Sequence, residues 1–397
     1  MTTQCNYLEN GQIEIDMLSI SGKPHFVINA IVGKATRNPN KIGVEYIFLN
    51  EFNSNFSLEE KYSAIISNKD KIHSDIPQIV TKEALNIFEE GDILLIKPDG
   101  LVLQVYQESS LHNSLLITER CNNFCLMCSQ PPKKENDYKN LFIINSKIIK
   151  LLPKNIEQIG VTGGEPTIAG KYFLDTLKLI NDEIPNTSIH VLTNGRQFKD
   201  IEFLQSISNL DINESLIFGI PLYGDIEDLH DYIVQAKGAF NETIEGIYNL
   251  ARYKIKIEIR IVLVKPLIKR LVRICEFIYK NMPFVDHIAL MGLEHTGFTK
   301  INFQSISIDP KDYSDELRDS VKLLDSHFMN VSIFNIPLCL IDDEIRKFSI
   351  RSISDWKQTY IAECEMCSVK EKCCGVFTTS GSNISKNIKS ITADVLC

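Results

Sequence analysis

The chain has 397 residues, 44% of them hydrophobic and 23% charged, with a formal net charge of −9. That length supports two or three domains around cores of ordinary size, in the composition range of a soluble globular protein. The acidic balance argues against non-specific nucleic-acid binding, which needs a basic surface. The most apolar stretch, "IEIRIVLVKPLIKRLVRICEFIY", is interrupted by Arg260, Lys265, Pro266, Lys269, Arg270 and Arg273 and does not read as a membrane span. The start, "MTTQCNYLENGQIEIDM", shows no basic region followed by an apolar run, so no secretory signal is expected. A cytoplasmic location follows. There thiols stay reduced, and clustered cysteines are metal ligands or catalysts rather than disulfides.

Residues 1–110 read as a small β-rich accessory domain. Within it "GDILLIKPDGLVLQVYQ" predicts a β-hairpin, with Pro98 and Gly100 supplying the turn. Residues 111–305 alternate strands and helices. Six apolar runs, at 114–118, 156–162, 188–193, 215–222, 257–264 and 286–292, are the strands. Ile244, Ile247, Tyr248 and Ala251 predict one helix face, and Leu267, Leu271, Ile274 and Ile278 another. Such repetition implies an α/β fold with a parallel sheet and right-handed crossovers. Six units are too few for a closed eight-stranded barrel, so an open, partial (β/α)6 TIM barrel is expected, with its site at the C-terminal ends of the strands. Residues 306–380 form a cysteine-rich extension. It starts with a helix over 311–328 (Leu317, Val321, Leu324 and Phe328 on one face) and a strand, "VSIFNI". The tail, 381–397, belongs to a polar segment that predicts loose structure.

Eleven cysteines fall into groups. "CNNFCLMC" carries Cys121, Cys125 and Cys128 directly after the first strand of the repeating region. Three thiolates suit part of a zinc site. They also suit three irons of a [4Fe–4S] cluster, leaving the fourth open to a chelating substrate group. After the second strand, "GVTGGEP" places Gly163 and Gly164 where backbone approaches a ligand closely. Glu165 there offers a carboxylate to an ammonium group. After the third strand, "LTNG" reads as an Asn-Gly turn around Asn194, or as a ligand contact. Arg260 and Val262 lie on one face of the fifth strand. "CEMCSVKEKCCG" brings Cys364, Cys367 and Cys373, with Cys339 upstream as a fourth partner and Cys374 as the rival to Cys373. Cys275 reads as core and Cys397 as a free thiol.

The C-x₃-C-x₂-C loop after the first strand resembles that of the radical S-adenosylmethionine (SAM) enzymes. The resemblance implies that Cys121, Cys125 and Cys128 hold a [4Fe–4S] cluster whose open iron is chelated by SAM, and that Met127 sits near the adenine. Gly163, Gly164, Glu165 and Pro166 look like the family's GGEP motif, which contacts the SAM amino group. Asn194 is then placed to face the SAM carboxylate or ribose, with Arg260 and Val262 as further SAM neighbours. The C-terminal cysteines resemble the shortened auxiliary-cluster domain of peptide-modifying members, implying a second [4Fe–4S] cluster at Cys339, Cys364, Cys367 and Cys373, with a Cys₄ zinc knot as the alternative. "LLITERCNNFCLMCSQPP", "GVTGGEPT", "HVLTNGR", "PFVDHIALMGLEHTGF" and "SISDWKQTYIAECEMC…CCG" together look like the maturases of the His-Xaa-Ser peptide system, over about 112–376. His295 departs from the proline-like turn expected there and reads as structural or substrate-side.

The resulting expectation is an enzyme that cleaves SAM and takes a hydrogen atom from a ribosomally made peptide. An electron donor such as flavodoxin or ferredoxin, and a second radical SAM maturase, are the expected partners. A radical SAM enzyme for a small molecule or RNA base is one alternative, and a zinc-binding scaffold another. The loop "IPLYGDIEDLHDYIVQAKGAF" borders the substrate on the enzyme reading and is scaffold otherwise.

Overall fold

A computed structural model describes residues 18–51, 62–69, 71–72, 75–212, 214–354 and 356–392. Cys5 and Cys397 lie outside the described residues. The chain divides into two compact units, one of Met1–Thr118, Asn136–Thr162 and Ala169–Ile189, the other of Glu119–Glu135, Gly163–Ile168 and His190–Cys397.

In the first unit, the hairpin expected near residue 100 is present: Ile93–Ile96 and Leu101–Tyr106 pair antiparallel. It belongs to an eight-stranded mixed sheet whose terminal strands, Ser19–Ser21 and Lys23–His25, are separated in sequence only by Gly22. The sheet therefore wraps around through one bent strand, over a core that includes Ile47, Ile66, Ile79, Leu94 and Val102. A wrapped sheet presents little open edge for unwanted pairing.

The six predicted runs are strands Ser114–Leu116, Gln158–Thr162, Ser188–Leu192, Leu216–Pro221, Lys256–Val262 and His287–Met291, which lie in sequence order in one sheet. Two more strands, Val331–Phe334 and Ser349–Ile350, extend it to eight, and the pairings along this extension are parallel. The α/β partial-barrel reading holds, with this addition. On Lys256–Val262, Ile257, Ile259 and Ile261 are buried on one side while Glu258, Arg260 and Val262 share the other.

The helices differ from expectation in extent and face. Leu267, Leu271, Ile274 and Ile278 are all buried, but Leu267 belongs to a separate short helix, Lys265–Ile268, and the other three to Leu271–Asn281; Cys275 is core as expected. In the helix Ala239–Arg252 the buried face runs instead through Thr243, Gly246, Ile247 and Leu250, and Tyr248 is exposed. The helix is rotated because Gly246 packs directly on backbone: a Cβ there would lie 2.2 Å from the Gly195 carbonyl oxygen. The helix Ser314–Ser326 buries Leu317, Val321 and Leu324, but Phe328 falls beyond its end, at φ +57° and 97% exposed. The tail is not loose throughout. Residues 378–392 are described, with a 3₁₀ segment at Thr378–Asn383 and with Ile388 and Ile391 buried. These two apolar side chains in a polar stretch give it something to bury.

Candidate functional site

The loop of Cys121, Cys125 and Cys128 has no regular structure, yet its backbone is fastened on both sides. Phe124 and Leu126 donate their N–H groups to the carbonyls of Val234 and Ile233, at 3.0 and 2.9 Å. On the other side Asn302 Nδ2 donates to Leu126 O at 2.9 Å, and Phe298 N–H to Cys128 O at 2.8 Å. Met127, the expected adenine neighbour, is buried, and its carbonyl takes the Thr299 hydroxyl at 3.3 Å. The three cysteines are free thiols. Burial pushes all three up, Cys121 to about 12, and the Glu165 charge adds to the rise at Cys121. Cys125 feels both of the other thiols. An iron or zinc centre takes thiolates, so binding one here must release the protons that burial holds on these sulfurs.

The GGEP residues close onto this loop. A Cβ at Gly164 would lie 2.1 Å from the Arg120 carbonyl oxygen, so only glycine fits. Glu165 N–H donates to that same carbonyl at 2.7 Å. The Glu165 side chain is fully buried, and its carboxylate accepts the Thr167 N–H and hydroxyl, the Thr193 hydroxyl and the Asn194 N–H, at 2.6–3.0 Å. A carboxylate with these four protein donors ties strand-end loops together. Burial raises its pKa, and the donors offset part of that. Pro166 opens the short 3₁₀ turn Pro166–Ala169.

Asn194 is engaged in the same way. Its Nδ2 donates to Asn122 Oδ1 at 2.6 Å, its Oδ1 accepts the Arg196 N–H, and its carbonyl takes the Thr243 hydroxyl. The Asn-Gly turn is formed, with Gly195 at φ +78°. Arg196, which spacing did not single out, clamps the cysteine loop: Nη1 donates to Asn122 O at 2.8 Å and to Asn123 Oδ1 at 2.6 Å, and Nε to Glu242 at 2.6 Å. Its one local clue was its place directly after "LTNG". Arg196→Met will weaken the hold on the loop by about 2 kcal/mol, roughly thirty-fold in the equilibrium that keeps it seated. Chelator-driven iron loss from this site, followed by its visible absorbance, should speed up accordingly.

Arg260 and Glu258 share a face as the alternation required, and they pair at 2.5 Å. Glu258 also takes His287 Nδ1 at 2.8 Å, and the other His287 nitrogen meets Ser332 at 2.9 Å. Burial would raise the Glu258 carboxyl, but bonds from His190 and His287 and the Arg260 charge hold it well below the carboxylate range. Val262, half-buried, lies opposite Met291 at the strand end.

The loop after the fourth strand is organised by His230, whose Nδ1 accepts the Tyr223 N–H at 3.2 Å. His230 is 1% exposed, and burial lowers its pKa to about 4. The unfolded chain, with an ordinary imidazole, therefore binds a proton first. The His230 contribution is complete above about pH 6.5 and declines as pH falls to about 4, by about 3 kcal/mol in all. Urea midpoints of the chain and of His230→Phe, measured across that window, should show the shallower acid slope in the variant. His295 stacks edge-on against Phe303 at 5.1 Å, and its Nδ1 has no partner among the described residues.

The second cysteine group converges as well. Cys339, Cys364, Cys367 and Cys373 line one cavity. Cys374 is not in its lining; it is buried in a core cluster with Ile353 and Phe377. Leu338 and Gly375 donate their N–H groups to Cys373 Sγ, both at 3.4 Å. The Cys374 thiol beside it, with those two N–H groups, brings Cys373 down to about 6, while Cys374 is pushed up. Cys373 is thus the better ligand of the two.

Both cysteine sets fit iron–sulfur clusters. Among the described residues no three His, Cys, Asp or Glu side chains are gathered so as to hold one metal ion. A cuboidal cluster, with its irons at separate corners, takes thiolates spread more widely than one ion does.

Comparison with known proteins agrees with this chemistry. The family model of the radical SAM superfamily matches residues 115–278. A GTP 3′,8-cyclase of Haemophilus ducreyi is 33% identical over 116 residues, covering 28% of this chain and 34% of that protein. The FeMo cofactor biosynthesis protein NifB of Methanocaldococcus infernus is 24% identical over 198 residues, covering 44% and 64%. The chain thus spans less than two thirds of the length of these relatives. Among solved structures, SuiB of Streptococcus suis bound to S-adenosylmethionine is similar with a TM-score of 0.45 at 15% identity, covering 56% of this chain and 50% of SuiB. Among the described residues no helix is long and apolar enough to cross a membrane.

Proposed function

We propose that this radical SAM enzyme, whose radical SAM domain spans residues 115–278, acts on a ribosomally made peptide of the His-Xaa-Ser type. The superfamily brings a [4Fe–4S] cluster and SAM as cofactors, and together they supply one-electron cleavage of the sulfonium and a radical that abstracts hydrogen. The chain supplies the rest. Cys121, Cys125 and Cys128 hold three irons. Gly163 and Gly164 bring backbone close to SAM, and Met127, Asn194, Arg260 and Val262 border it. Glu165 and Arg196 keep the surrounding loops in register.

The observation that carries the peptide reading is the second site: four cysteines round one cavity, C-terminal to the radical SAM domain. A second cluster there suits the auxiliary domain of peptide-modifying members, with flavodoxin or ferredoxin as electron donor and a second maturase as companion. One specific observation favours a small-molecule substrate instead: the curated relatives include a GTP 3′,8-cyclase and a protein of FeMo cofactor biosynthesis. The family match leaves the zinc-scaffold reading without support.

The test is direct. Reconstituted protein is incubated with SAM, dithionite and either a synthetic peptide carrying His-Xaa-Ser repeats or a nucleoside triphosphate. 5′-Deoxyadenosine is measured together with the mass of each candidate. Mass change in the peptide, coupled to 5′-deoxyadenosine, is the expected result. Conversion of the nucleotide with an untouched peptide would move the assignment to the small-molecule class.

A further inference from the structure

We propose that the C-terminal strap, residues 388–391, is a working part of the second metal site: it covers the cavity and donates a hydrogen bond to one of its four sulfurs. The proposal rests on the reading that Cys339, Cys364, Cys367 and Cys373 hold a cluster. Neither the cysteine spacing nor the family match, which ends at residue 278, assigns anything to this segment.

Three observations place the strap in the site. Ile388, Lys389 and Ile391 line the same cavity as the four cysteines. The Ile391 N–H donates to Cys367 Sγ at 3.5 Å. The strap is also fastened independently of the sulfurs: the Ser390 hydroxyl donates to Glu363 O at 2.5 Å, and Ser368 N–H to Ile391 O at 2.9 Å. Ile388 and Ile391 are 7% and 5% exposed, so they form a hydrophobic cover. With Leu338 and Gly375 on Cys373, two of the four sulfurs receive amide N–H groups, one of them from the strap.

The chemistry follows from charge and water. Thiolates bound to iron carry partial negative charge, and amide donors stabilise it. Reduction adds negative charge to the cluster, so the same donors raise its reduction potential. An apolar cover keeps oxygenated solvent from the irons.

Two full-length variants separate cover from donor. Ile388→Asp/Ile391→Asp places charges in the cover. Iron should fall from about eight to about four per chain. The electron paramagnetic resonance signal of the first cluster, and its change on adding SAM, should remain, which also reports a folded domain. Retention of all the iron, with bleaching in air no faster than in the unsubstituted chain, would overturn the proposal. Ile391→Pro removes the N–H donor to Cys367, with Ile391→Ala as the control for the side chain lost from the cover. Ile391→Pro should keep its iron and lower the midpoint potential of the second cluster below that of the control, leaving the first unmoved; an unshifted second potential counts against the strap as a donor. If the unsubstituted chain holds zinc at this site, the cluster reading falls. The strap is then decided by whether chelator removes zinc faster from the double variant: faster loss supports it, equal loss ends it.

Discussion

Replacing Cys121, Cys125 and Cys128 together with alanine will halve the iron of the anaerobically reconstituted protein, from about eight to about four per chain, and abolish 5′-deoxyadenosine formation. The prediction is large because those side chains contribute little else. The hydrogen bonds of these side chains, Asn123 N–H to Cys121 Sγ at 3.3 Å and the Cys128 thiol to Gln130 O at 3.0 Å, stay within the loop. The bonds that fix the loop all come from backbone groups and from side chains other than these three. The variant should therefore melt close to the unsubstituted metal-free chain while losing one cluster outright. Iron and sulfide analysis, with SAM-cleavage assays under dithionite, decides it. Residual SAM cleavage in the triple variant would remove these cysteines from the chemistry, whatever the iron count.

Glu165→Ala will be the most destabilising single change at the site, by about 3–5 kcal/mol. The substitution leaves two hydroxyls and two amide N–H groups without their acceptor in a place that water does not reach. Each such group costs about 1–3 kcal/mol, less whatever the hydroxyls recover by turning. Glu165→Gln separates charge from geometry. Its remaining oxygen keeps the Thr167 and Thr193 donors, but its new amide faces the Asn194 N–H, donor against donor. A loss of about 1–3 kcal/mol is expected. Denaturant midpoints order the three proteins as Glu, Gln, Ala. Equal stability of Glu165→Ala and the parent chain would show that the carboxylate is not the tie that its bonds suggest.

What could be read from the sequence follows the range of the forces involved. The six strands were visible because continuous apolar runs report burial on both faces, as in "SLIFGIPL". Both cysteine groups were visible because metal chemistry leaves few residue types and short spacings. Glu165 was located by its motif, but its role in tying the loops together was not foreseen. A motif shows that a carboxylate is present, whereas its four donors come from three residues, two of them 28 and 29 positions away. Arg196 escaped notice because its value lies in loop carbonyls more than seventy residues back in the chain. The face of Ala239–Arg252 was misjudged because periodicity counts apolar side chains, whereas this helix approaches backbone through Gly246. The strap was hidden by composition: two isoleucines among serines, lysines and asparagines do not look like the wall of a site.

The bonds that hold the cysteine loop run to carbonyls and amides of the helix ends around Val234 and Phe298, and none of them passes through a sulfur. This separates maturation from folding. A zinc finger gathers its ligands as it folds, so its binding energy goes into ordering the chain. Here the ordering is done by the scaffold, and incoming iron meets a receptacle of fixed shape. Loading is then a late step that a finished protein can undergo, and repeat after oxidative loss, without passing through an unfolded state. Damage to the cluster becomes a matter of repair rather than resynthesis.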